Sequence, residues 1–171
     1  MPVPHLNIRI VQRSKGSSAV AGAAYQAGEK LFSEYDQKSK DHRRKQPEVV
    51  YTEILLPANA PPEYADRATL WNAAEEAEKQ WNAQLARRFV LALPREVPLE
   101  KCPQMLREYC EEHFVSKGMC CDFAIHDPDP PGHNPHCHIM LTMRALDENG
   151  KWMPKSRKVY DLDENGERIK L

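Results

Sequence analysis

The chain has 171 residues, long enough for one domain with a real hydrophobic core, and its five irregularly spaced cysteines argue against a disulfide framework and for a reducing compartment. Its formal charge of −1 is unevenly spread, at +5 over residues 1–45, −7 over 46–141 and +1 over 142–171, so a basic stripe for phosphate is compatible with an acidic body. No apolar run approaches the ~18–20 residues that span a bilayer, and the opening MPVPHLNIRI lacks a signal-peptide plan, so a soluble, cytoplasmic protein without membrane insertion is expected.

Leu6, Ile8 and Ile10 alternate with Asn7, Arg9 and Val11, which predicts a strand over residues 3–12 with one side buried. After a turn at Arg13–Gly16, Ser17 or Ser18 can cap a helix whose interior, AVAGAAYQAG, is rich in helix formers and ends at Gly28. Small side chains let this helix lie close to a sheet; Tyr25, in its last turn, is its one large side chain, and a core tyrosine is the ordinary reading of it. Phe32 to Gln46, with the run His42, Arg43, Arg44, Lys45, reads as an exposed connection or flap, or as disorder. Glu48–Leu56 is a second strand, closed by Pro57.

Glu63–Gln80 reads as a helix, in one piece or in two with Asp66 or Thr69 capping the second. Glu75 and Glu78, three apart, share a surface that either faces a site or is an ordinary solvated acidic face. Trp71 and Trp81 are expected to pack or stack. A buried strand follows from about Arg87 to Leu93 and stops at Pro94. Pro98 opens an amphipathic helix (Leu99, Cys102, Leu106, Cys110, Phe114) that ends near Gly118 and places Cys102 and Cys110 in the core. Met119–His126 alternates as a half-buried strand with Cys120 and Cys121 on opposite faces, and Asp147–Gly150 is a hairpin-type turn from which Lys151–Met153 returns. The fold class expected is α+β, a central, largely antiparallel sheet with helices packed on one side. The charged ending KVYDLDENGERIKL stops without a helix cap or polar tail, so residues 1–171 are expected to be the first part of a longer protein.

The densest concentration of chemistry is HNPHCHIML, residues 133–141, with His126 upstream. On a strand His136 and His138 point to one face, with Cα atoms roughly 6.5–7 Å apart, close enough to share a metal ion. Cys137, Ile139 and Leu141 take the other face, so Cys137 is no ligand. His126 ends a strand that the Pro-rich loop can fold back against this one, giving three imidazoles and open positions for substrate oxygens. His133 and Asn134 are candidates to support the liganding histidines from outside the metal, with a substrate contact or plain loop as the other readings of His133.

The segment His126, Asp127, Asn134, Pro135, His136, Cys137, His138, Ile139 resembles the third motif of the HUH endonucleases, and more closely that of the MobA/MobL (MOBQ) relaxases of mobilisable plasmids. SKGSSAVAGAAYQAGEK and LWNAAEEAEKQWNAQLAR resemble that family's first and middle motifs, in the family's order. The resemblance implies an HUH-type palm and site- and strand-specific nicking and rejoining of DNA at a transfer origin. Tyr25 would be the nucleophile, giving a 5′-phosphotyrosyl link, and His126, His136 and His138 would hold a divalent ion, Mg²⁺ or Mn²⁺, with Zn²⁺ or Ni²⁺ able to occupy the site. Glu75 or Glu78 would orient a histidine or assist proton removal. Single-stranded DNA at the origin is the expected substrate, and accessory mobilisation proteins and a coupling protein the expected partners. Phosphate contacts are expected from Arg9, Arg13, Lys15, Arg43, Arg44 and Lys45, and base or phosphate contacts from Lys151, Trp152, Lys155 and Arg157.

Three other readings share these residues: a rolling-circle initiator or transposase, whose tyrosine generally follows the histidines; a zinc hydrolase in which Tyr25 only packs; and a non-catalytic single-strand binder with a structural metal. The order Tyr25, then His126 to His138, favours the relaxase over the first.

Overall fold

The computed structural model describes residues 5–129, 134–156 and 158–169. His133 and Arg157, both singled out above, lie outside the described residues. In chain order the elements are β1 (Leu6–Gln12), α1 (Ala19–Ala27), β2 (Lys30–Ser33), β3 (Lys38–Asp41), β4 (Val49–Leu55), α2 (Arg67–Glu76), β5 (Gln84–Ala92), α3 (Cys102–His113), β6 (Cys121–His126) and β7 (His136–Thr142). Five strands form one antiparallel sheet in the order β1-β5-β7-β6-β4.

The expected antiparallel sheet is present, but helices cover both of its faces. On one, α1 and α2 bring Ala19, Val20, Ala23, Ala24, Leu70 and Trp71 against Val11, Ala86, Cys120 and Met140. On the other, Cys102, Leu106 and Cys110 of α3 pack on Leu55, Cys121, Phe123, Ile125, Cys137, Ile139 and Leu141. Alternation along β6 and β7 signalled one wet face, yet every residue of β6 is buried. The polar members of the alternation are themselves covered by α1 and α2. Cys120 and Cys121 do fall on opposite faces, and all five cysteines are free and buried.

Helix α1 sits where its sequence allows it to. Ser18 accepts a hydrogen bond from the Ala21 N–H at 3.1 Å, capping the start. Gly28 ends it at φ +66°, and a Cβ there would lie 2.6 Å from the Gln46 Cα, so both the left-handed turn and the close approach call for glycine.

Three expectations change. The Leu6, Ile8 and Ile10 side of β1 is exposed, because β1 is an edge strand and α3 packs towards the β4 side of the sheet. The basic stretch after Phe32 is ordered as the β2–β3 hairpin and a 3-10 segment at Arg43–Glu48 that closes over the end of α1. Helix α2 stops at Glu76, capped at its start by Asp66, and the Arg13 guanidinium donates to the carbonyl of Glu75 in its last turn and to those of Glu78 and Gln80 beyond its end.

The turn read at Asp147–Gly150 is one of two copies of a single device. LDENG occurs at 146–150 and 162–166, and in each the aspartate Oδ1 accepts from backbone N–H groups two and four residues on while a bridge pairs the flanks, Leu146 with Trp152 and Leu162 with Arg168. The first copy docks on the core through Leu146; in the second Leu162 is exposed.

Candidate active site and metal centre

The register of β6 against β7 places His126 directly opposite His136, and Ala124 opposite His138. Partners opposite one another in an antiparallel pair share a face, so the three imidazoles converge on the α1 side of the sheet. Each offers one ring nitrogen to a set lying within 4.8 Å of one another. Two of the rings are held by backbone carbonyls: His126 Nε2 lies 2.6 Å from the Gln26 carbonyl oxygen, and His136 Nδ1 2.8 Å from that of Asn134. Carbonyl partners of this kind fix the tautomer and leave the opposite nitrogen free for a cation. His138 Nε2 is buried without a hydrogen-bond partner. Burial first, and then the neighbouring charges of His126 and Arg88, push the His138 imidazole down to about 2, and burial also lowers His126. Three imidazoles facing one point, with burial disfavouring the charged form of His126 and His138, fit a divalent ion of the transition-metal type.

Tyr25 is brought to this cluster by the last turn of α1. Its ring lies 6.1 Å from that of His138 and 5.6 Å from that of His42, both edge-on. Two cations flank it, Arg88 with its guanidinium carbon 5.1 Å from the ring centroid and Lys45 with Nζ at 5.4 Å. The Tyr25 oxygen and then Glu48, 3.5 Å from Nζ, hold the Lys45 ammonium above its ordinary range, against the cost of burial. Because Gln26 follows Tyr25, one helical turn carries both the phenol and the carbonyl that orients His126. The fully buried Gln26 side chain donates to the Asp122 carbonyl at 3.0 Å, fastening that turn to β6.

Residues 17–171 match the MobA/MobL family. A probable mobilization protein MobA of Bifidobacterium longum is 39% identical over 173 residues, which cover all of this chain and 30% of that protein. A conjugal transfer protein TraA of Agrobacterium fabrum is 38% identical over 99% of this chain and 16% of its own length. The chain belongs to the MobA/MobL family. It therefore spans less than a third of these curated relatives. A solved structure described as "Molecular Basis of Vancomycin Resistance Transfer in Staphylococcus aureus" superposes with a TM-score of 0.81 at 32% identity, over 91% of this chain and 77% of that one, and shares the HUH-type palm. Among the described residues, no helix of this MobA/MobL chain is long and apolar enough to cross a membrane.

The middle-motif glutamates lie elsewhere than beside the cluster. Glu75 is buried at the far end of α1, where one oxygen accepts from Ser18 Oγ (2.9 Å), Ala19 N (2.6 Å) and Val20 N (3.2 Å). Glu78 accepts from Arg144 at 2.6 Å and Lys155 at 2.8 Å. Neither bonds to Tyr25 or a histidine. Of the basic residues, Arg9 and Lys15 are exposed, as are Arg44 and Lys151. Arg43 is paired with Asp41, and Arg13 lies over the Tyr35 ring at 4.1 Å. Trp152 stacks on Tyr64 at 5.5 Å, so one face of its ring is taken by packing.

The residues not foreseen at the site are His42, Arg88, Glu48 and Gln26. Lys45 was placed among the DNA contacts, and the structure sets it against the tyrosine. Arg88 did leave a signal, a charge inside a run that otherwise reads as a buried strand.

Proposed function

We propose that this chain is the nicking domain of a plasmid-mobilisation relaxase that cleaves and rejoins one strand at a transfer origin. The observation that carries this is convergence: α1 sets the Tyr25 ring against His138, more than a hundred residues away in sequence, at a triad fit for a divalent ion. A phenol is a weak nucleophile, and its neighbours here are cations that oppose negative charge building on its oxygen.

In the step proposed, the Tyr25 oxygen attacks the scissile phosphorus, an O–P bond to tyrosine forms and the P–O3′ bond breaks. The phenolic proton is lost to solvent and the leaving 3′-oxygen takes one up, so the products are a 5′-phosphotyrosyl strand and a free 3′-hydroxyl. Bond types are conserved and the reverse attack rejoins the strand. His126, His136 and His138 would hold Mg²⁺ or Mn²⁺, whose charge when bound opposes that of the phosphate oxygens. Gln26 keeps His126 in the tautomer that such binding needs. Lys45 steadies the phenolic oxygen as it loses its proton, and exposed Arg9, Lys15, Arg44 and Lys151 offer phosphate contacts whose strength falls with salt. Accessory mobilisation proteins and a coupling protein are the partners this role calls for.

The test is incubation with a single-stranded origin oligonucleotide and Mg²⁺ or Mn²⁺, followed by denaturing electrophoresis. A protein–DNA adduct is expected from the wild type and none from Tyr25→Phe. An adduct that survives Tyr25→Phe removes Tyr25 as nucleophile, and cleavage without any adduct makes the protein a hydrolase.

A further inference from the structure

Arg88 is a strong charge at the site that the proposed reaction has not yet used. It lies on β5 opposite Arg9 of β1 and Met140 of β7, on the face that carries the histidines. Its guanidinium carbon stands 5.1 Å from the Tyr25 ring centroid and its Nη2 3.5 Å from His138 Nδ1, so it occupies the gap between nucleophile and triad. That position opens into a cavity of about 300 Å³ bounded by Tyr25, His138, Asn7, Arg9 and Arg88 itself.

The guanidinium is not neutralised there. Arg67, Arg107 and Arg144 each meet a carboxylate at 2.6–2.8 Å, and the Arg13 guanidinium is held by three backbone carbonyls. Among the described residues Arg88 has no such partner, its Nε is buried without a hydrogen bond, and the group paired with it across the sheet is another arginine. Covering part of a guanidinium without giving it an anion is costly, so half-buried Arg88, its Nε already out of water and its edge on an open cavity, is matched to an anion that arrives from outside. A guanidinium also presents two parallel N–H groups at the spacing of two phosphate oxygens, which an ammonium cannot do.

We infer that Arg88 is a catalytic residue that binds the non-bridging oxygens of the scissile phosphate diester and holds the phosphorus between the Tyr25 oxygen and the histidine triad. The inference rests on the nicking reaction proposed above, and it assigns the phosphate a second positive partner independent of the metal. As the phenolic oxygen closes on phosphorus, charge grows on the oxygens that Arg88 holds, so its contribution is larger in the transition state than in the ground state.

The experiment compares wild type, Arg88→Lys and Arg88→Gln in single-turnover adduct formation, with Mn²⁺ affinity measured calorimetrically on each. Arg88→Gln is expected to slow adduct formation about 100-fold, Arg88→Lys to recover part of that rate, and Mn²⁺ affinity to stay within about twofold. An Arg88→Gln rate within about threefold of wild type overturns the inference, and so does a rate loss matched by an equal loss of Mn²⁺ affinity, since Arg88 would then act only by supporting His138. A parallel titration with inorganic phosphate, followed by ³¹P line broadening, does not depend on nicking. Broadening by wild type that Arg88→Gln abolishes supports the anion site even if no oligonucleotide forms an adduct, in which case the relaxase reading alone fails. Equal broadening by both proteins overturns Arg88 as the phosphate ligand.

Discussion

The two faces of the sheet are built from the same strands and are chemically opposite. Under α3, β6 and β7 contribute Cys121, Phe123, Ile125, Cys137, Ile139 and Leu141, a dry apolar layer. Under α1 and α2 the intervening positions contribute Asp122, His126, His136 and His138, three of them buried, joined there by Glu75, Glu78 and Arg67. A slip of one residue in either strand would exchange the layers, so the apolar face does more than add stability: it fixes the register that brings three imidazoles to one point. Buried charge is tolerated on the other face because Asp122, Arg67 and Glu78 are paired with opposite charges and Glu75 accepts from Ser18 and two backbone N–H groups, whereas half-buried Arg88 meets only a ring nitrogen of His138.

Asp122 and Phe123 test that contrast from adjacent positions. Asp122 accepts from Arg67 Nε at 2.8 Å, Arg67 Nη2 at 3.1 Å and Trp71 Nε1 at 2.9 Å, with Arg67 held further by Glu29. Asp122→Ala leaves a buried guanidinium without its main counter-charge and is expected to cost about 3–5 kcal/mol in urea denaturation. Phe123→Leu, on the dry face, changes shape within an apolar layer and should cost about 1–1.5 kcal/mol. Equal losses would mean that the polar network is an accessory to packing, and the contrast between the faces would fail.

Alkaline pH should weaken the dry face next. Burial pushes the Cys137 thiol up to about 12, and the Cys110 contact together with burial raises Cys121. In the unfolded chain a thiol ionises near 8.5–9. The folded pKa is the higher one, so the stabilisation is intact below about pH 9 and is lost as pH climbs towards 12. The slope is about 1.4 kcal/mol per pH unit for each thiol that stays protonated in the fold. Denaturation midpoints between pH 8 and 10.5 measure it, and Cys137→Ala should flatten the curve by one thiol's share. A flat curve in the wild type would show that these thiols reach solvent.

How much of this was legible beforehand follows from the range over which each signal acts. Period-two alternation and metal spacing are local, so β6, β7 and the triad could be read from residues 119–143. That their polar face is also buried depends on α1 and α2 lying on it, which no strand reports about itself. Composition makes the segment from Phe32 to Gln46 read as exposed, yet Lys45 and His42 are ordered by packing on α1, a contact set by Gly28 against Gln46. Spacing puts Glu75 and Glu78 on one helical surface, but α2 stops at Glu76 and the two part, Glu75 accepting N–H groups at the start of α1 and Glu78 pairing with Arg144 and Lys155. Spacing could tell neither where the helix stops nor which end of α1 Glu75 meets.

That end of α1 gives the smallest effect and the sharpest question. Ser18 accepts from Ala21 N at 3.1 Å and donates to Glu75, which itself accepts from Ala19 and Val20, so the helix start carries two overlapping caps. Ser18→Ala removes one and should cost about 1 kcal/mol of stability. Tyr25 lies six residues beyond Ala19, roughly 9 Å along the axis, and its turn is fastened separately by Gly28, by the Gln26 side chain on Asp122 and by the Gln26 carbonyl on His126. The rate of adduct formation should therefore stay within about threefold of wild type. If Ser18→Ala instead slows the adduct 100-fold while stability falls by only about 1 kcal/mol, the phenol is aimed from the far end of its helix. Glu75 would then be a positioning residue, and the polar face would act as one connected unit, with no separate structural and chemical parts.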